Sequence, residues 1–208
     1  MIPVGQLTGA VMAGGASRRM GRDKALLILD GEPLWLRQTW VLRAAGAGHV
    51  GIVRQRQQVA LVVTPGISLW YDAVVGAGPL AGLQAALNAC TTDWLAVLAT
   101  DMPRIDAGWF QWLGEFCHPG CGALARQPDG GHEPLAAIYP GTALVEVTRR
   151  LHDGPRTLQS LANALITDRR LTSVPLPAAE LWRVANWNTP AEVGAGQKSK
   201  PTALATAS

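Results

Sequence analysis

Leu7-Thr8-Gly9-Ala10-Val11-Met12-Ala13-Gly14-Gly15 is a short apolar run that stops at a pair of glycines. Apolar residues without polar alternation over this length, closed by a turn, suit a strand covered on both faces. The glycines then lead into a loop whose backbone can approach a partner closely. Trp94 to Leu98 is a second run of the same kind, and Asp101 follows at its carboxyl end. Met102-Pro103 then stops the ladder, because proline has no N–H to donate.

Working outward, short apolar runs predict further strands at His49 to Val53, Val59 to Val63, Gly122 to Arg126, Leu135 to Tyr139 and Arg183 to Trp187. Ala25 to Leu29 is an apolar segment closed by the turn pair Asp30-Gly31. Helical spacing or good helix formers mark Leu34 to Ala45 after Pro33, Pro79 to Ala89, Asp106 to Phe116 with Asp106 as cap, Gly141 to Leu151 and Thr157 to Ala164. Strands alternating with helices predict an α/β fold: a single domain with a Rossmann-like, mostly parallel sheet flanked by helices. Such sheets bind ligands at the carboxyl ends of their strands, which places Gly14-Gly15 and Asp101 at one edge. The domain is expected over residues 1–193. The Gly-, Ala-, Ser- and Thr-rich stretch 194–208 is expected to be a disordered tail.

Bulk composition agrees. The 208 residues are 48% hydrophobic and 16% charged, enough for one large core. A net charge of +3 is too small to point to nucleic acid. No apolar stretch reaches the roughly 20 residues of a membrane helix, and residues 1–9 lack the pattern of a signal peptide. Three cysteines make no disulfide framework, so a reducing, cytoplasmic setting is expected. Cys117, His118 and Cys121 lie close together, but no second Cys or His pair follows at zinc spacing. The eight tryptophans are spread singly along helices and strands, as packing residues are.

Chemistry concentrates in Met12-Ala13-Gly14-Gly15-Ala16-Ser17-Arg18-Arg19-Met20-Gly21-Arg22-Asp23-Lys24. Glycines let backbone amides approach phosphate oxygens, and Arg and Lys supply countercharge. The segment is neither a Walker A loop, since no hydroxyl residue follows Lys24, nor Gly-x-Gly-x-x-Gly. Taken alone, these residues also fit a solvated surface loop.

Met12 to Lys24 resembles the signature of small nucleotidyltransferases, Leu-Ala-Gly-Gly-x-x-x-Arg-Met-Gly-x-Asp-Lys, and most of all that of the molybdenum cofactor guanylyltransferase (MobA) family. Gly78-Pro79-Leu80-Ala81-Gly82-Leu83, Ala99-Thr100-Asp101-Met102-Pro103 and Asn186-Trp187-Asn188-Thr189-Pro190 agree with that family in order and spacing, and His132-Glu133-Pro134-Leu135-Ala136 resembles its middle region. The resemblance implies transfer of GMP from GTP to the phosphate of molybdopterin, with magnesium (Mg2+) as cofactor. It implies hand-over of the product to molybdoenzymes or their maturation chaperones. Ala13-Gly14-Gly15 stands where cytidylyl members show Ala-Ala-Gly, which favours GTP.

Carried over residue by residue, the resemblance makes Arg19, Lys24 and Asp101 the catalytic residues, with Asp101 as metal ligand. Met12, Ala13, Gly14, Gly15, Lys24, Asp72 and Asp101 become nucleotide-binding, and Arg156, Asn186 and Asn188 face the pterin. On residue type alone, Asp72 equally suits a turn, and Arg156, Asn186 and Asn188 suit loop chemistry beside Pro155 and Pro190. The family carries an Asn near the end of its second strand. This chain has Val53 there, then Arg54, Gln55 and Arg56, of which Arg54 or Gln55 is the candidate replacement.

Overall fold

The computed structural model describes residues 2–14, 23–59, 61–72 and 77–185. Strand β1 (Leu7–Met12) lies at the centre of a seven-stranded sheet, between β4 (His49–Arg54) and β6 (Trp94–Ala99) and parallel to both. Beyond β4 lies β5 (Ile67–Tyr71), also parallel. Beyond β6 come β8 (Ala136–Pro140), β7 (Gly122–Arg126) and β9 (Leu171–Pro175). Among the described strands of this sheet only β8 runs against the others, being antiparallel to both β6 and β7, while β9 is parallel to β7. A small hairpin, β2 (Ile28–Leu29) and β3 (Glu32–Pro33), turns on Asp30 (φ 52°) and Gly31 (φ 85°). This is the left-handed turn that an Asp-Gly pair favours.

The sheet is covered on both faces, so its strands read as continuous apolar runs. Leu7, Val11, Trp94, Ala96 and Leu98 pack under α1 (Leu34–Ala44) and α3 (Ala107–Gly114), whose Trp35, Leu42, Trp109 and Phe110 join the same core. Ala10, Met12, Leu95 and Val97 point the other way, toward α2 (Pro79–Ala89), α4 (Leu144–Asp153) and α5 (Leu158–Thr167). Successive side chains alternate faces because the pleat repeats every two residues. Asp106 and Thr157 cap α3 and α5 by accepting from Trp109 N and Ser160 N. Each fully buried Leu or Ile contributes about 2 kcal/mol.

Two sequence expectations are corrected. The strand expected at Val59 to Val63 is instead β5 at Ile67–Tyr71, and Val59 and Val62 are 66% and 94% exposed. After β4 ends at the carboxyl edge, a parallel neighbour must start at the opposite edge, a return of about 20 Å. The apolar run is spent on that return, and Pro65-Gly66, with Gly66 at φ 86°, turns the chain back into the sheet. The last strand, expected at Arg183 to Trp187, is not formed at its described end: Arg183 and Val184 close a 3-10 helix, Ala178–Val184, and 186–187 lie outside the described residues. The second edge strand is β9, whose Thr172, Ser173 and Pro175 hid it from an apolar-run criterion. The stretch 194–208 also lies outside the described residues.

Gly122 opens β7 with so little room that a Cβ would lie 2.0 Å from the carbonyl oxygen of Ile138. Gly122→Ala therefore has to pry β7 from β8. A loss of about 1–3 kcal/mol in urea unfolding is expected.

Candidate functional site

The register of β1 on β6 pairs Met12 with Ala99, and that of β1 on β4 pairs Met12 with Val53. Ala13-Gly14, Arg54-Gln55 and Thr100-Asp101 therefore leave the sheet side by side. The joins are hydrogen-bonded: Ala13 N donates to Val53 O (2.9 Å) and Thr100 N to Met12 O (3.3 Å). Gln58 Nε2 donates to Ala13 O (3.2 Å). Met12 and Ala13 bury their side chains, so only their backbone faces this edge. Gly82, in the first turns of α2, keeps this edge compact. A Cβ there would come within 2.8 Å of Met12 Cε and 3.1 Å of Val53 Cγ1.

Lys24 opens a single 3-10 turn, Lys24–Leu26, capped by Asp23, whose Oδ1 accepts from Ala25 N (3.0 Å). From there Lys24 Nζ reaches Asp101 Oδ2 at 3.1 Å, the two side chains being 20% and 26% exposed. Asp101 owes its place to the turn after β6. Gln38 of α1, fully buried, donates from Nε2 to both Ala99 O (3.3 Å) and Met102 O (2.9 Å). Asp72 follows β5, its N–H donating to Arg54 O (3.2 Å). Burial pushes its carboxyl above the usual range, and a hydrogen bond from Gln55 partly offsets this. It stands three strands from Asp101 along the same edge, about 14 Å.

On the other flank, Arg150, buried, donates to Glu146, Pro155 O and Ser160 and so shapes the turn between α4 and α5. That turn carries Arg156, which is exposed and donates to Leu151 O (2.9 Å). In the next turn of chain Gln159 grips both backbone groups of His132. Arg156 is thereby brought to the segment preceding β8.

The structure thus brings Met12, Ala13, Gly14, Lys24 and Asp101 together, sets Asp72 at one end of the edge and Arg156 at the other. Gly15, Arg19, Asn186 and Asn188 lie outside the described residues. Sequence reasoning assigned no role to Glu133. It is 9% exposed, accepts from Gln127 Nε2 (3.1 Å), and its N–H donates to Ala125 O. Burial, chiefly, with a smaller push from the negative charge of Asp101, raises its carboxyl to about 7 against the lowering effect of Gln127. The signal in the sequence was the segment His132-Glu133-Pro134-Leu135-Ala136, in which Glu133 is the acidic residue.

Asp101 is a half-covered hard oxygen donor. Among the described residues no group of three or more His, Cys, Asp or Glu could hold a metal alone. One carboxylate completed by phosphate oxygens and water is the donor set that suits magnesium, and it does not suit zinc. Cys117 and Cys121 are buried with free thiols, that of Cys117 held up to about 12 by burial.

Comparison with known proteins agrees with this architecture. The family described as "MobA-like NTP transferase domain" matches residues 9–170. A protein of Opitutus terrae named "Probable molybdenum cofactor guanylyltransferase" is 54% identical, over 88% of this chain and 91% of its own length. A protein of the same name from Deinococcus radiodurans is 37% identical, over 76% and 80%. Among solved structures, molybdopterin-guanine dinucleotide biosynthesis protein A from Archaeoglobus fulgidus superposes with a TM-score of 0.68 at 24% identity, covering 92% of this chain and 97% of that one, a likeness of fold. In the described residues no helix is long and apolar enough to cross a membrane.

Glu133 gives a pH test. The folded protein keeps this proton up to about pH 7, while the unfolded chain releases it near 4.5. A raised carboxyl therefore costs stability progressively as pH rises through that window, by up to about 3 kcal/mol above it. In metal-free buffer, Glu133→Gln is expected to match the native protein below this window and to exceed it above, in urea unfolding curves taken across the range.

Proposed function

Because this chain belongs to the MobA-like NTP transferase family, we propose that it transfers GMP from GTP to the phosphate of molybdopterin. The product is molybdopterin guanine dinucleotide, and pyrophosphate is released. The observation that carries this reading is the Lys24–Asp101 pair at 3.1 Å beside the turn Met12–Gly14, on the carboxyl edge of a parallel sheet. The order of groups along the edge suits the nucleotide. Backbone amides and Lys24 take the phosphates, Asp101 would hold the magnesium that accompanies them, and Asp72, about 14 Å away, takes the ribose or base end. Arg19, Asn186 and Asn188, which lie outside the described residues, join as a phosphate contact and two pterin contacts. Arg156 stands on the pterin flank.

A phosphate oxygen of the pterin attacks the α-phosphorus of GTP, forming the new P–O bond as the bond to pyrophosphate breaks. The attacking monoester has its second pKa at about 6 and is mostly dianionic near neutral pH. No side chain has to remove a proton, which fits a site built on Lys, Asp and backbone amides. The difficulty is bringing two anions together, and Lys24 and Arg19 answer it with fixed positive charge where negative charge develops. Magnesium bound at Asp101 would add a Lewis acid for phosphate oxygens. A cytoplasmic setting, with hand-over to a molybdoenzyme or its maturation chaperone, belongs to the same proposal.

Labelled GTP or CTP, magnesium and molybdopterin are incubated with the protein, and the dinucleotide product is counted. Label is expected from GTP, with Asp101→Asn lowering the rate about 100-fold or more. Label from CTP alone would reassign the base. An Asp101→Ala protein that still matures a molybdoenzyme normally would sink the catalytic reading in favour of a non-catalytic adaptor.

A further inference from the structure

The geometry points to Arg54 as a positioning residue that fixes the phosphate end of the site through Asp23, without touching the nucleotide itself. This rests on the reading of Lys24 and Asp101 as that phosphate end. Arg54 is the last residue of β4 and is 2% exposed, an unusual place for a guanidinium. Its Nη2 donates to Asp23 Oδ2 (2.5 Å) and to Val59 O (2.8 Å), and its carbonyl accepts from Asp72 N (3.2 Å). One side chain and its peptide thus tie down three segments: the residue before Lys24, the return loop after β4, and the backbone of Asp72 after β5.

The link to Lys24 is direct. While Oδ2 of Asp23 is held by Arg54, Oδ1 accepts from Ala25 N and caps the short turn that Lys24 opens. Asp23 has a short side chain with two rotatable bonds. Pinning both of its oxygens fixes the start of that turn, and with it the root of the Lys24 side chain that reaches Asp101. The chain of contacts runs from the core of the sheet edge to the reacting end of the site.

Stability alone is a poor account of this pair. Burying a guanidinium sacrifices its hydration, and a buried ion pair stabilises little compared with apolar residues of equal volume. Here Arg54 Nη1 is also buried with no hydrogen-bond partner among the described residues, an unmet donor that an apolar residue would not have. What the pair supplies is location: a short, charge-assisted contact holds Asp23 in one place. With 2% of its surface exposed, Arg54 also offers a ligand almost nothing to touch.

The test uses the full-length protein with Arg54→Gln, Arg54→Lys, Asp23→Asn and the Arg54→Gln/Asp23→Asn double variant. Binding of GTP and of inorganic tripolyphosphate is measured with magnesium present, beside turnover and thermal midpoint. Arg54→Gln and Asp23→Asn are each expected to weaken both ligands by about 10- to 100-fold, the double variant no further than the weaker single, and Arg54→Lys less than either. Should Arg54→Gln not fold, Arg54→Lys and Asp23→Asn carry the same readouts. A lowered midpoint with unchanged affinities and turnover would overturn the inference and leave a merely structural pair. Loss confined to GTP would overturn it too, since Arg54 would then read the base, and losses that add in the double variant would exclude action through Asp23. A native protein that binds tripolyphosphate and GTP but transfers nothing to molybdopterin would fail the proposed function while leaving this inference standing.

Discussion

Parallel pairing of β1 with β6, Met12 against Ala99, sets two loops from distant parts of the chain leaving the sheet at one edge. Because parallel strands point their carboxyl ends the same way, the Met12–Gly14 turn and the Thr100-Asp101 turn emerge within one strand spacing, about 4.8 Å. A shift of register by one residue would turn every inward side chain of β1 to the other face. The two packed cores forbid that, with Val11 fixed under α1 and Ala10 under α2. The hydrophobic packing of both faces is therefore what positions the polar edge.

The edge is also balanced in charge. Lys24 answers Asp101, and Arg54 answers Asp23. Glu133, close enough to feel Asp101 yet buried, keeps its proton through most of the acid range. Below about pH 7 this keeps a second negative charge away from Asp101. The supports behind these groups are neutral and buried, Gln38 holding the Asp101 turn by two carbonyls and Gly82 letting α2 close on Met12 and Val53. Rigid backing of this kind is what electrostatic stabilisation of a charged transition state requires.

Much of this was legible in the sequence. The runs Leu7 to Ala13 and Trp94 to Leu98 gave the two central strands because a strand buried on both faces has no polar alternation to disguise it. Asp106 marked a helix start by its capping chemistry, and Asp30-Gly31 marked a turn by its backbone freedom. Lys24 and Asp101 stood out through the motifs that hold them. Where local pattern and tertiary need parted, the sequence misled: the apolar run at Val59 to Val63 serves the return to the far edge, and the polar β9 forms because β7 offers it an open ladder.

Residue chemistry alone therefore determined the central strands buried on both faces, the α-helices that cover them, and which loop is suited to phosphate. Only the tertiary structure decided that Lys24 meets Asp101, that Arg54 is buried on Asp23, and that Glu133 lies within reach of the charge of Asp101. The reason is that hydrophobic periodicity and capping act over a few neighbouring residues. Contacts between groups 31 and 77 positions apart depend on strand order and register, which the chain fixes only when the whole sheet packs.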